Sequence, residues 1–227
     1  MVRIFTGLSA FAVCLLGANI LLGLYLGDLG DSSRRYEAAR SRAHELELQA
    51  SATNATVLAA RVEKDQMLAA LGTMRRRFQP HIWLGIVSAL VAVLVNCVSV
   101  TYFIGTSRWC REVVDAYGLD ERLAEQSRRL KRRSFPFALS GMLLVVGIVA
   151  LGAASDPGAS LASPASWVLL HAAAAMLGTA LIAGSFFVQS RLVGDNFQVI
   201  NEILAAAEGV RRQHRPTAEP SSEPVSV

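Results

Sequence analysis

The sequence predicts an all-α polytopic membrane protein. It has four transmembrane helices, a long extracytoplasmic helical segment and amphipathic cytoplasmic helices. Three observations carry this. Charged residues make up only 18% of the 227 residues, where a soluble domain has about 25%. The runs 4–27, 82–105, 135–154 and 166–189 contain no Asp, Glu, Lys or Arg. At about 1.5 Å of helix rise per residue, each is long enough for a hydrocarbon core of about 30 Å. An ordinary soluble globule is thereby excluded, and little chain is left outside the membrane for a catalytic domain.

The first element, residues 1–27, is the N-terminus and first span. Its apolar run is longer than a signal-peptide core and no small-x-small cleavage site follows, so it reads as a retained helix. Residues 28–81 form the extracytoplasmic helical segment. Proline is absent from 32–79, and a 3-4 alternation runs through Leu46, Ala50, Thr53, Val57, Ala60, Lys64, Met67, Leu71, Met74 and Phe78. Such a stripe has to pack on something. The partner is either the preceding stretch 32–45, folded back as a hairpin, or the same helix of a second copy in a homo-oligomer.

The second span is 82–105, followed by a basic segment 106–134. There, two short helices separated by Gly118-Leu119 are expected to lie on the membrane surface, with Asp120 capping the second. Arg128, Arg129, Lys131, Arg132 and Arg133 would meet anionic headgroups. The third span is 135–154, the short outer loop 155–165 and the fourth span 166–189. Residues 190–212 continue as an amphipathic cytoplasmic helix through Val193, Phe197, Ile200 and Leu204. The tail 213–227, with Pro216, Pro220 and Pro224, reads as disordered. No internal repeat stands out in the sequence.

Orientation follows from charge. Segment 106–134 holds Arg108, Arg111 and Arg122 besides the five basic residues named above, whereas 155–165 holds none. The positive-inside rule places the former in the cytoplasm and both termini with it. The first loop strains this, because it carries Arg75-Arg76-Arg77 beside the second span. Only two of the basic residues are lysine (Lys64 and Lys131), a bias that points to a GC-rich bacterial genome and hence a bacterial plasma (inner) membrane. The net charge of +4 belongs to this membrane pattern rather than to nucleic-acid binding, for which no fold signature is present.

Cys14, Cys97 and Cys110 form no CxxC, so neither a zinc nor a disulfide framework is indicated. Cys110, just past a span, is expected to be accessible from the cytoplasm. No catalytic motif is found. The uncharged spans weigh against ion coupling, so a small transporter or channel ranks third after the two readings that follow. The first is a non-enzymatic scaffold, assembly factor or accessory subunit of a membrane complex, with no cofactor. The second is a redox subunit: His81 and His171 fall near the same surface on different helices, and small residues follow His171. A b-type haem held between two helices needs such a pair. Asn19 and Asn96 read as interhelical hydrogen-bonding residues at different depths.

Overall fold

The computed structural model describes residues 2–26, 29–49, 53–156 and 164–214. The elements are α1 (Val2–Leu26), α2 (Leu29–Leu48), α3 (Asn54–Tyr117), α4 (Glu121–Ala154) and α5 (Pro164–Gln213). Among the described residues, α1, α3, α4 and α5 are each long and apolar enough to cross a membrane. The expected residues 157–163 of the outer loop and 215–227 of the tail lie outside the described residues.

Local chemistry sets the helix ends. The side chain of Thr53 caps α3, its Oγ1 accepting from the Thr56 N–H at 3.3 Å. At the other end Gly118 adopts the left-handed conformation (φ 59°), and its N–H reaches back to the Val114 carbonyl. A Cβ is disfavoured at such a φ, so glycine suits this stop. Asp120 then caps α4 by accepting from the Arg122 N–H at 2.9 Å.

Between these caps α3 runs for 64 residues, about 96 Å at 1.5 Å per residue. It passes through Pro80, as α4 passes through Pro136, so neither proline marks a helix start. Each ring deprives the carbonyl four residues earlier of its partner. Those carbonyls belong to Arg76 and Arg132, both exposed and both outside the uncharged runs, where water replaces the lost bond.

α1, α3, α4 and α5 form a ring in that order, with α3 and α5 also touching across it; α2 packs on α3 and α5. The bundle is built with its polarity turned inward. The most apolar window of each spanning helix is only 11–28% buried. Leu21, Leu90, Leu143 and Leu177 project outward, each more than 60% exposed. The interior instead holds Ser88, Asn96, Ser99, Ser134, Ser185, Gln189 and Asn196, all 6% exposed or less. Water would penalise such a surface, and lipid tails solvate it. Helices in lipid gain nothing from burying leucine, so they associate through small residues and hydrogen bonds.

Two expectations are corrected. The basic segment does not lie flat on the membrane: α3 continues straight out of its span to Tyr117, and α4 is one helix from Glu121 through its span. The reason is a core. Cys110, Val114, Ala124 and Leu130 are buried with Val199 and Ile203 of the α5 extension, forming an upright three-helix continuation of the bundle. The outer helical segment is likewise not continuous from Leu46. α2 ends at Leu48 and α3 starts at Asn54, so Leu46 belongs to the first arm of a hairpin; Ala50 lies outside the described residues. From Val57 to Phe78 the stripe does face inward, with Ala60 and Leu71 buried. It packs against α2, whose Ala39 and Ala43 are buried. Arg61 joins Glu47 across the arms at 2.8 Å. The partner is therefore the preceding stretch of the same chain.

Candidate functional site

Polar side chains occupy three levels of the bundle. At the end nearest the hairpin stand the two histidines. The Cε1 of His81 sits 2.9 Å from where a Cβ on Gly23 would be, and that of His171 sits 3.0 Å from the same point on Gly152. His81 Nδ1 lies 3.1 Å from the carbonyl oxygen of Asn19, four residues before Gly23. The ring of His171 lies near the carbonyl of Ile148, four residues before Gly152, but its Nδ1 closes no hydrogen bond. The two sites thus repeat one design: an imidazole laid on a glycine of the preceding span, beside the carbonyl one turn earlier.

The correspondence extends along the helices. The spacing that carries Gly23 onto Gly152 also carries the buried Phe5, Ser9 and Ala12 of α1 onto the buried Ser134, Ala138 and Gly141 of α4. The spacing that carries His81 onto His171 carries Ser88, Ala92, Val95, Asn96, Ser99 and Phe103 onto Gly178, Ile182, Ser185, Phe186, Gln189 and Val193, all buried. Paired helices α1/α3 and α4/α5 are therefore two copies of one packing pattern. Few of these pairs share a residue type, so the repeat is visible in which positions are buried and not in the letters.

The middle level is where the copies differ. Asn96 lies against Gly141, with Nδ2 and Oδ1 each 3.0 Å from the place of a Cβ there. Its Nδ2 donates to the Ala92 carbonyl at 2.9 Å. Gln189 Nε2 donates to Asn96 Oδ1 and to Ser185 Oγ, both at 3.1 Å. Ser185 Oγ donates in turn to the Phe137 carbonyl at 2.9 Å. This chain ties α3, α4 and α5 together.

At the level nearest the termini, Ser99 and Ser134 hydroxyls meet at 3.3 Å. Asn196 accepts from Ser127 Oγ at 2.8 Å and donates to Thr106 Oγ1 at 2.9 Å and Tyr102 Oη at 3.2 Å. Below them Cys110 is fully buried, and burial pushes its thiol pKa up, opposed by a hydrogen bond with Ser127. The expectation that Cys110 is accessible is therefore corrected: it is buried in the core that α3, α4 and the α5 extension share. Cys14 and Cys97 face outward from their spans.

The sequence singles out Asn96 as an interhelical hydrogen-bonding residue, and it is buried together with Ser88 and Ala92 of the same helix face. Asn19 is expected at another depth, and it packs on Gly85 rather than on Asn96. Sequence reasoning missed Gln189, Asn196 and the serines of α4, which look like ordinary surface polar residues at the ends of spans. A sign lay in their spacing: Ser127, Ser134 and Gly141 recur every seven residues, one stripe on a helix.

Each imidazole is seated against a glycine of another helix, His81 on Gly23 of α1 and His171 on Gly152 of α4. Among the described residues, no group of three or more His, Cys, Asp or Glu side chains is placed to hold a metal ion. The buried polar side chains are all uncharged. Chemically, these side chains hold the helices together through hydrogen bonds. No protein-family model, curated protein or solved structure matches the chain.

Proposed function

We propose that the protein is a non-enzymatic scaffold, assembly factor or accessory subunit of a membrane complex, with its bundle serving as an anchor and its outer hairpin as the docking element. The observation that carries this is the division of polar and apolar groups. Inside the membrane-spanning bundle, polar side chains are consumed in holding helices together. Outside it, α3 from Asn54 to His81 projects about 40 Å at 1.5 Å per residue and shows Leu58, Val62 and Leu68 at 63%, 49% and 49% exposure. Leu48 at the end of α2 is 73% exposed. Leu58 and Val62 stand one helical turn apart, and apolar side chains gathered into a patch on a helix in water mark an interaction surface.

The orientation that suits this reading puts both termini in the cytoplasm of a bacterial cell and the hairpin outside the inner membrane. It rests on the basic residues between α3 and α4 and their absence from 155–165. Arg128, Arg129 and Arg132 gather around Glu125, and Arg133 and Lys131 complete a basic collar beside the cytoplasmic headgroups.

The test is chemical crosslinking in native membranes followed by mass spectrometry, with the wild type compared against Leu58→Glu/Leu68→Glu. A partner, or a second copy, crosslinked through 54–78 and lost in the double variant supports docking. A wild type that is monomeric and crosslinks to nothing through the hairpin removes the reading.

A further inference from the structure

The packing pattern that joins α1/α3 to α4/α5 makes α3/α4 and α5/α1 corresponding interfaces, closed at the centre by Asn96 on Gly141 in one and by the buried Phe186 and Ala12 in the other. Between α3 and α4, Asn96 fills the space over Gly141. Between α5 and α1 a lateral cavity of about 480 Å³ remains, walled by Ser9, Ala10 and Cys14 of α1 and by Ala183, Phe187 and Arg191 of α5. Its lining is almost wholly apolar. From Arg191 to Ala183, and from Thr6 to Cys14, it runs eight residues deep, about 12 Å at 1.5 Å per residue.

Four polar residues, Thr6, Ser9, Ser190 and Arg191, interrupt that lining, and two of them bear on what could fill it. Ser9 is 5% exposed and its hydroxyl has no hydrogen-bond partner. Arg191 sits at the other extreme, immediately past the uncharged run of α5, with its guanidinium 5.8 Å from the centre of the Phe187 ring. It forms no ion pair among the described residues. A cation at the membrane surface, above an apolar slot that opens sideways into the bilayer, matches one occupant. That occupant has an anion at headgroup level and a hydrocarbon chain below it.

We propose that the α1/α5 groove is a binding site for one anionic phospholipid, drawn from the leaflet that meets the termini. Its phosphate pairs with Arg191 and one acyl chain lies along Ala10, Cys14 and Ala183. The groove owes its width to the small side chains of Ala10, Cys14 and Ala183 along its walls.

The test is native mass spectrometry of the protein released from mixed micelles holding equal dioleoyl phosphatidylglycerol and dioleoyl phosphatidylcholine. The wild type should retain one phosphatidylglycerol about fivefold in preference to phosphatidylcholine, the discrimination that about one basic contact at a membrane surface supplies. Arg191→Gln should abolish that preference, and Ala183→Phe should fill the groove and abolish retention of either lipid. Leu143→Phe, on an outward face of α4, should leave retention as in the wild type. Equal retention of both lipids by the wild type overturns the proposal, as does an undiminished preference in Arg191→Gln. The latter changes an exposed side chain, so it decides the matter even if Ala183→Phe does not fold.

Discussion

Cys110 shows how one residue reports on packing. Its thiol lies in the core that α3, α4 and the α5 extension share, and burial favours the neutral form. The folded-state pKa is therefore above the ordinary thiol value of about 8.5, and the folded state gains nothing from ionising it. The stability this group contributes is present below the unfolded pKa and is lost as pH rises through the folded one. The melting temperature in detergent should fall as pH rises past the ordinary thiol pKa of about 8.5, and Cys110→Ala should flatten that fall. Maleimide should modify Cys110 slowly in the native protein and rapidly after unfolding. Rapid native labelling would show that this core does not bury it. The glycine notches make a second residue-scale prediction. A Cβ at Gly23 or Gly152 would stand 2.9 or 3.0 Å from a histidine carbon, closer than real contacts allow. Gly23→Ala and Gly152→Ala should each cost about 1–3 kcal/mol, as overpacking does. Because the clash is with one ring, adding His81→Ala or His171→Ala respectively should recover much of the loss. A cycle measured by unfolding in detergent that shows simple additivity would mean the rings do not lie on those glycines.

At the scale of elements, the outer hairpin depends on a thin seam. Leu71 of α3 is 8% exposed, and much of the rest of the contact is alanine. Leu71→Ala removes the largest buried side chain of the seam, at about 2–5 kcal/mol for such a truncation in a well-packed core. The loss should appear locally, as faster hydrogen exchange over 54–78 and across α2, with α4 and α5 unchanged. Exchange that rises across the spans as well would show that hairpin and bundle unfold as one unit. The seam was legible in the sequence because Val57, Ala60, Lys64, Met67, Leu71, Met74 and Phe78 keep a helical spacing. The break between Leu48 and Asn54 was not, since no Pro or Gly marks it; only Thr53 acts as a cap there. The four spans were legible from missing charge alone. The upright course of α3 and α4 beyond the membrane was hidden for a different reason. An amphipathic helix beside arginines has the same pattern whether its apolar face meets lipid or another helix, and the contact with Val199 and Ile203 that decides it is distant in sequence. The histidines were noticed as a pair, but their glycine seats could not be, because Gly152 and His171 are brought together only by folding.

For the whole molecule, the polar levels and the orientation are linked by what each residue must avoid. The Asn96–Gln189–Ser185 chain binds three helices in a medium that offers no competing water. Asn96→Leu or Gln189→Leu should destabilise the bundle by about 0.6–2 kcal/mol, the range for interhelical hydrogen bonds in membranes; unchanged denaturation in sodium dodecyl sulfate would remove the chain from the account. The same medium forbids the arginines of 106–134 and of the α5 end from crossing it, which fixes them on one side together. Arg75, which reaches Asp156 at 3.2 Å, holds the foot of the hairpin to the end of α4 on the other side. Both groups are basic, so charge alone ranks the two orientations by the contrast with 155–165. The geometry makes the choice measurable, because Leu58 and Asp120 are exposed on opposite sides of the bundle. In a variant lacking the three native cysteines, Leu58→Cys should react with a membrane-impermeant maleimide on intact cells. Asp120→Cys should react only after permeabilisation. The reverse pattern would place the hairpin inside the cell and move any docking partner to the cytoplasm. Labelling of both sites on intact cells would mean that these helices do not separate two compartments at all.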